Sequence, residues 1–384
     1  MRVARAVPRL VVLFAAFVAM GLPEGTLGAA WPSLRASFDQ PEAALARLIV
    51  AYTVGYLVST VLLGAVVKRL GTDATIRLGM VAAALGLAGY AFTPVWSLVI
   101  AAAFVLGVGI GTIDASVNAD VALHHGQRTM NLLHASWGVG ATLGPLIITA
   151  LLLGGGSWRL GYGALLVVQV GLLGAFLASV RANAGSDEQM HTAQVYAPRA
   201  ARPTLVVAAT LLYFAAYVAA EVSIGHWSFS VLTESRGASE TVAGISVAAY
   251  WGGLTVGRFL LAVAADRIHP MTLLRVSGGA ALVATLWFGF DLPGAVAALP
   301  LIGLALAGVF PALVLLTSSW LAPELVTRTV GWQLSASSAG AIVAALALGA
   351  VADSQGIGAT APAMIVLVAI LAISHLATEA AARS

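Results

Sequence analysis

The strongest constraint on this chain is a rhythm: apolar stretches of about 20 residues recur along nearly its whole length, separated by short polar punctuation. A helix of that length spans a hydrocarbon core roughly 30 Å thick. Twelve such stretches are read, at about 9–33, 44–67, 74–93, 96–120, 129–153, 158–181, 204–232, 241–265, 271–290, 294–320, 329–350 and 359–378. A membrane β-barrel would show short alternating segments; runs such as Leu98–Ile113 and Gly340–Val351 do not alternate. Only 9% of residues are charged and 60% are hydrophobic, against about 25% charged in a soluble domain. Arg2, Arg5 and Arg9 before Leu10–Met20 mimic a secretory signal, but with eleven further spans behind it a retained first helix is expected. Gly21-Leu22-Pro23-Glu24-Gly25 is expected to interrupt that helix.

Several function classes fall away. Nucleic-acid binding needs dense, clustered positive charge, whereas 19 Lys and Arg face 16 Asp and Glu. The chain has no cysteine, so thiolate metal sites and thiol nucleophiles are excluded. No span carries an H-E-x-x-H, a G-x-S-x-G or a paired catalytic aspartate motif. An intramembrane enzyme or a non-transporting sensor is therefore a remote alternative, and neither a cofactor nor a resident metal is expected.

The basic residues set orientation. With the N-terminus inside, fourteen Lys and Arg fall in inside segments and four (Arg35, Arg47, Arg159 and Arg236) in outside loops, with Arg258 left in a span. An even span count then places both termini in the cytoplasm of a cell bounded by this inner (plasma) membrane. The longest hydrophilic stretch, about Ala182–Arg202, divides the chain into 1–183, a linker 184–202 and 203–384, six spans on each side. The halves repeat at an offset of about 197–200 residues: Glu24-x3-Gly28 matches Glu221-x3-Gly225, Gly64-x3-Lys68-Arg69 matches Ala262-x3-Asp266-Arg267, and Arg128-Thr129 matches Arg328-Thr329. Three matches in order indicate an internal duplication.

Two six-helix bundles related by a pseudo-two-fold are the architecture of the major facilitator superfamily, which this chain resembles over its whole length. Gly64-x3-Lys68-Arg69-Leu70-Gly71 is similar to that superfamily's signature loop, with Lys68 where the pattern has Asp. The resemblance implies an all-α membrane protein of twelve helices. It also implies a gating role for Lys68, Arg69, Asp266 and Arg267 in the paired loops, with Arg258 as a latch within its span.

Of 35 charged residues only Glu24, Asp114, Glu221 and Arg258 lie inside spans, where a charge is costly and usually marks a pathway or a partner. Asp114 and Asn118 share a helix face with Gly107 and Gly111, and Asn131, His134 and Gly138 line one face of the next span. Asp114 and His134 each stand ~9 Å from their helices' inner ends, at similar depth. A carboxylate out of water can take up and release a proton near neutral pH, so Asp114, Glu24 and Glu221 are the candidate proton-coupling groups. The alternative for Asp114 is a structural bond, for instance to Arg258; for Glu24 and Glu221 it is a capping or gating role. Trp137, Trp227, Trp251 and Trp332 can stack on an apolar sugar face while Asn118, Asn131, His134 and Gln333 supply directed hydrogen bonds. Trp31, Trp96, Trp158 and Trp320, near span ends, are expected as interfacial anchors.

An acid-x3-Asn on the fourth span, then Met130-Asn131-Leu132-x-His134 opening the fifth, resembles the fucose:proton symporter branch, which includes bacterial hexose transporters. The resemblance implies proton-coupled uptake of a small, sugar-like solute by alternating access, in a monomer embedded in lipid. Gly140-x3-Gly144-Pro145 resembles part of an antiporter signature, although Ile148 and Thr149 replace its closing glycines. Proton-driven export of drugs or metabolites is the alternative function.

Overall fold

The computed structural model describes residues 9–124, 127–182, 202–264 and 268–383. Asp266 and Arg267, and all but the last residue of the 184–202 linker, lie outside them. The described residues are helical with short connections: α1 (Arg9–Ala36), α2 (Ala44–Leu70), α3 (Thr72–Phe92), α4 (Trp96–His124), α5 (Gln127–Leu153), α6 (Trp158–Ala182), α7 (Pro203–Ser230), α8 (Glu240–Ala264), α9 (Pro270–Gly289), α10 (Ala298–Leu306), α11 (Val309–Trp320), α12 (Pro323–Gln355) and α13 (Thr360–Arg383). Among the described residues eleven helical passages are long and apolar enough to cross a membrane, with α10 and α11 counting together as one. The twelfth passage is α8, the helix that carries Arg258. Proline opens α7, α9 and α12, where its missing N–H would have no helical partner in any case. The expected break in the first span does not occur: α1 runs through Pro23 without interruption.

Large apolar side chains face outward, Val263 at 87% and Val283 at 69% exposure, which fits hydrocarbon rather than water as the surrounding solvent. Aromatic residues fill the interior. Trp31 and Trp158 are among them, wholly or nearly buried rather than at an interface. The Trp31 indole N–H donates to Glu42 Oε2 at 3.0 Å, and Trp158 meets Tyr162 edge to face. Each ring has a specific partner, which is what a buried tryptophan requires.

The chain divides into two compact units. The first holds Met1–Thr26 with Ala51–Thr192, and the second holds Leu27–Val50 with Ala193–Ser384, so the tips of α1 and α2 group with the later helices. In the first unit α3 packs along α4 and α6, with Tyr90 stacked on Tyr162 at 4.4 Å. Arg9 ties the starts of α1 and α3 to α4 through Asp73 at 2.9 Å and Asp120 at 3.0 Å. In the second unit α7 packs on α12 and α13, and α8 on α10.

Small residues set the closest crossings, as expected where helices pack in lipid. A Cβ on Gly107 would strike the Tyr52 carbonyl, holding α4 hard against α2, and one on Gly140 would strike the Val18 carbonyl of α1. Gly144 is seated the same way on Leu22. The stretch that resembles an antiporter signature is thus fully employed in packing α5 on α1.

Candidate functional site

The α2–α4 crossing decides what surrounds Asp114. With Gly55 and Gly107 bringing the two backbones together, the i, i+4 pair Tyr52 and Tyr56 lies alongside α4. The Tyr56 hydroxyl donates to Asp114 Oδ2, and Asn118 Nδ2, one turn further along α4, donates to Asp114 Oδ1 at 2.8 Å. Both of these partners are uncharged. The Glu24 carboxylate interacts electrostatically with Tyr52, so each tyrosine of the pair stands beside one acid. All four side chains are half-buried.

Asn131 lies in α5, but its side chain is outside what the structure describes. His134, also in α5, is half-buried and meets Phe17 of α1 edge to face at 5.9 Å. Trp137 is half-buried one turn on, its carbonyl beside Gly21. Lys68 and Arg69 are exposed at the end of α2.

In the second unit the acid has a cation. Arg258 Nη2 lies 3.4 Å from Glu221 Oε1 and 3.5 Å from the Tyr217 hydroxyl, with both ionic side chains almost enclosed. The Tyr250 hydroxyl donates to the Glu221 backbone carbonyl at 2.8 Å. Trp227 and Trp251 are fully buried, the Trp251 ring packed directly on Gly225. Gln333 in α12 donates to Thr317 Oγ1 at 2.9 Å. Three of the sequence-predicted solute residues carry a buried polar atom with no hydrogen bond among the described residues: Asn118 Oδ1, Trp227 Nε1 and Gln333 Oε1. Such orphans are uncommon and call for an explanation.

Sequence reasoning missed the tyrosines Tyr52, Tyr56, Tyr217 and Tyr250. The signal was present in Tyr52-x2-Gly55-Tyr56 and in Tyr250, which stands where the repeat places Tyr52. A tyrosine in an apolar span reads as packing until the acid it holds is visible.

A family model described as Major Facilitator Superfamily matches residues 13–290. The glucose/mannose transporter of Bacillus subtilis is 25% identical over 350 residues, covering 87% of this chain and 85% of that protein. The mouse sodium-dependent glucose transporter 1A is 25% identical over 312 residues, covering 71% and 72%. Among solved structures, a D-xylose–proton symporter superposes with a TM-score of 0.79 at 12% identity, covering 96% of both chains. The E. coli fucose:proton symporter superposes with a TM-score of 0.62 at 17% identity, covering 96% and 97%.

Proposed function

The chain belongs to the Major Facilitator Superfamily, and on that premise we propose that it carries a small sugar-like solute by alternating access, driven by proton symport. The observation that carries the coupling is Asp114, an intramembrane carboxylate that accepts hydrogen bonds from the neutral groups of Tyr56 and Asn118. A charge at that depth held only by neutral hydrogen bonds among the described residues of its unit is costly, and a proton that comes and goes offsets it. The orphan atoms support the solute class. Asn118 Oδ1 and Gln333 Oε1 need donors and Trp227 Nε1 needs an acceptor, and a sugar hydroxyl serves as either. Asn131, His134, Trp137 and Trp251 complete the solute-side set. The names of the relatives point the same way, since each is called a transporter or symporter of a sugar. The bundles 1–183 and 203–384 are the moving parts, in an inner (plasma) membrane with both termini cytoplasmic, as the positive-inside count requires.

The test is uptake of labelled glucose, mannose, xylose and fucose by the purified protein in proteoliposomes under an imposed pH gradient. Accumulation above the external concentration, abolished by a protonophore, is expected for at least one sugar. Its absence for every sugar overturns the reading. A parallel sodium-gradient arm is included because one relative is named sodium-dependent; accumulation there alone would replace the proton with sodium.

A further inference from the structure

The duplication visible in the sequence is repeated in the packing. Gly107 seats on the Tyr52 carbonyl and Gly303 on the Tyr250 carbonyl; Gly55 seats on Phe104 and Gly253 on Pro300; Gly140 seats on Val18 and Gly340 on Ala215. These crossings make Tyr52 equivalent to Tyr250 and α4 equivalent to α10–α11. The first-helix acids match as well, Glu24 with Glu221, and each has the equivalent tyrosine beside it.

The remaining positions of the two sites have diverged in charge. Asp114 stands seven residues beyond Gly107, whereas the residue seven beyond Gly303 is Phe310, packed edge to face on Phe214 at 5.2 Å. Conversely, Arg258 stands eight residues beyond Tyr250, whereas the residue eight beyond Tyr52 is Thr60, whose hydroxyl is spent on the Leu57 carbonyl. The later copy thus lacks the second acid and carries a guanidinium instead. One copy holds two carboxylates; the other holds one carboxylate and one permanent cation, since arginine does not deprotonate in proteins.

We propose that Arg258 does in the second copy what the exchangeable proton does in the first: Glu221 remains ionised as its counter-ion through the whole transport cycle, and the exchanged proton is confined to the Glu24–Asp114 copy. Glu221, Arg258, Tyr217 and Tyr250 then form a positioning cluster that locks α7 to α8, not a second coupling site. This assignment rests on the proton-symport reading for its coupling half only; the ion-pair half stands on the geometry of α7 and α8.

The experiment compares wild type with Glu221→Gln, Arg258→Gln and the double variant in proteoliposomes. It reads sugar counterflow without a gradient, the proton-to-sugar ratio from the gradient that just halts net flux, and thermal unfolding. Each single variant leaves a buried partner unmatched, so a loss of counterflow of at least about tenfold is expected. The double variant removes both charges and is expected to recover most of that loss, with the wild-type proton-to-sugar ratio. A double variant that exchanges sugar but no longer accumulates it would make Glu221 a proton carrier and overturn the proposal. Equal loss in the single and double variants would overturn the ion-pair half. Should the single variants not fold, the conservative Glu221→Asp and Arg258→Lys are read for the same ratio, and a changed ratio in either refutes the proposal. Absence of proton-driven accumulation in wild type defeats the symport reading instead, while the rescue in counterflow and unfolding still decides the pair.

Discussion

At the tip of α1, Arg35 pairs with Glu42 in the turn before α2 and, at 2.6 Å, with Glu234 in the short π-helical turn that follows α7. Glu42 also accepts from Trp31 at 3.0 Å. Two carboxylates on one guanidinium favour retention of a proton. The Glu42 carboxyl is pushed up to about 7 from 4.5, first by burial and then by the charge of Glu234, against the opposing pull of Arg35. That displacement corresponds to about 3.4 kcal/mol at about 1.4 kcal/mol per pH unit. Because the cluster is partly open to water, with Glu234 and Arg35 about a quarter exposed, about 2 kcal/mol is the better figure after screening. The sign follows from the raised value. The cluster is fully held below about pH 4.5, where the carboxyl is protonated in either state, and its hold is lost as pH rises through about 7. Other charged groups on the neighbouring elements are Arg47 of α2, Arg236 after the π turn and Asp353 of α12, and Arg236 is already paired with Asp291 at 3.2 Å.

The expected outcome is that the α1–α2 tip separates from the end of α7 about tenfold more often at pH 9 than at pH 5, where part of the roughly 2 kcal/mol is already lost. The absence of native cysteine makes the assay clean. Spin labels on Ser37→Cys and Ser235→Cys, both exposed, report the tip distance against pH by pulsed resonance. Glu42→Gln, which keeps an acceptor for Trp31 and adds a donor for Glu234, should flatten the profile. An unchanged pH dependence in that variant, or a flat profile in the parent, would refute the reasoning.

Three further outcomes are expected. Asp114→Asn should abolish gradient-driven accumulation while sparing counterflow, because the amide keeps the bond to Tyr56 but holds no exchangeable proton; retained accumulation would remove Asp114 from the coupling. Gly107→Ala and Gly303→Ala should each cost ~1–3 kcal/mol of stability in thermal unfolding, because the added methyl meets a backbone carbonyl at equivalent crossings. Gly163→Ala, which meets open space, serves as the silent control, and equal behaviour of all three would contradict the packing. Trp31→Phe should cost ~1–2 kcal/mol by leaving Glu42 without its indole donor, and the same pulsed-resonance pair should report a looser tip.

Much of this protein was legible from periodicity and charge. The helix positions and the duplication depend on local quantities: apolar length against bilayer thickness, and recurrence at a fixed offset. The short list of Glu24, Asp114, Glu221 and Arg258 was legible for the same reason, since charge in an apolar span is costly wherever the span ends up. Which of these residues meet was not legible. That Arg258 reaches Glu221, and Tyr56 reaches Asp114, could not be read from the sequence. Trp31 looked like an interfacial anchor and is instead buried on Glu42.

By itself, the sequence determined that the chain is a twice-repeated set of membrane helices with a few ionisable groups held inside. Tertiary structure alone decided that Glu221 meets a guanidinium and that Asp114 accepts from a hydroxyl and an amide. Pairing in a helical membrane protein depends on how closely two backbones approach. Here a handful of glycines lets α2 touch α4 and α8 touch α10, carrying tyrosines and an arginine to acids far away in sequence.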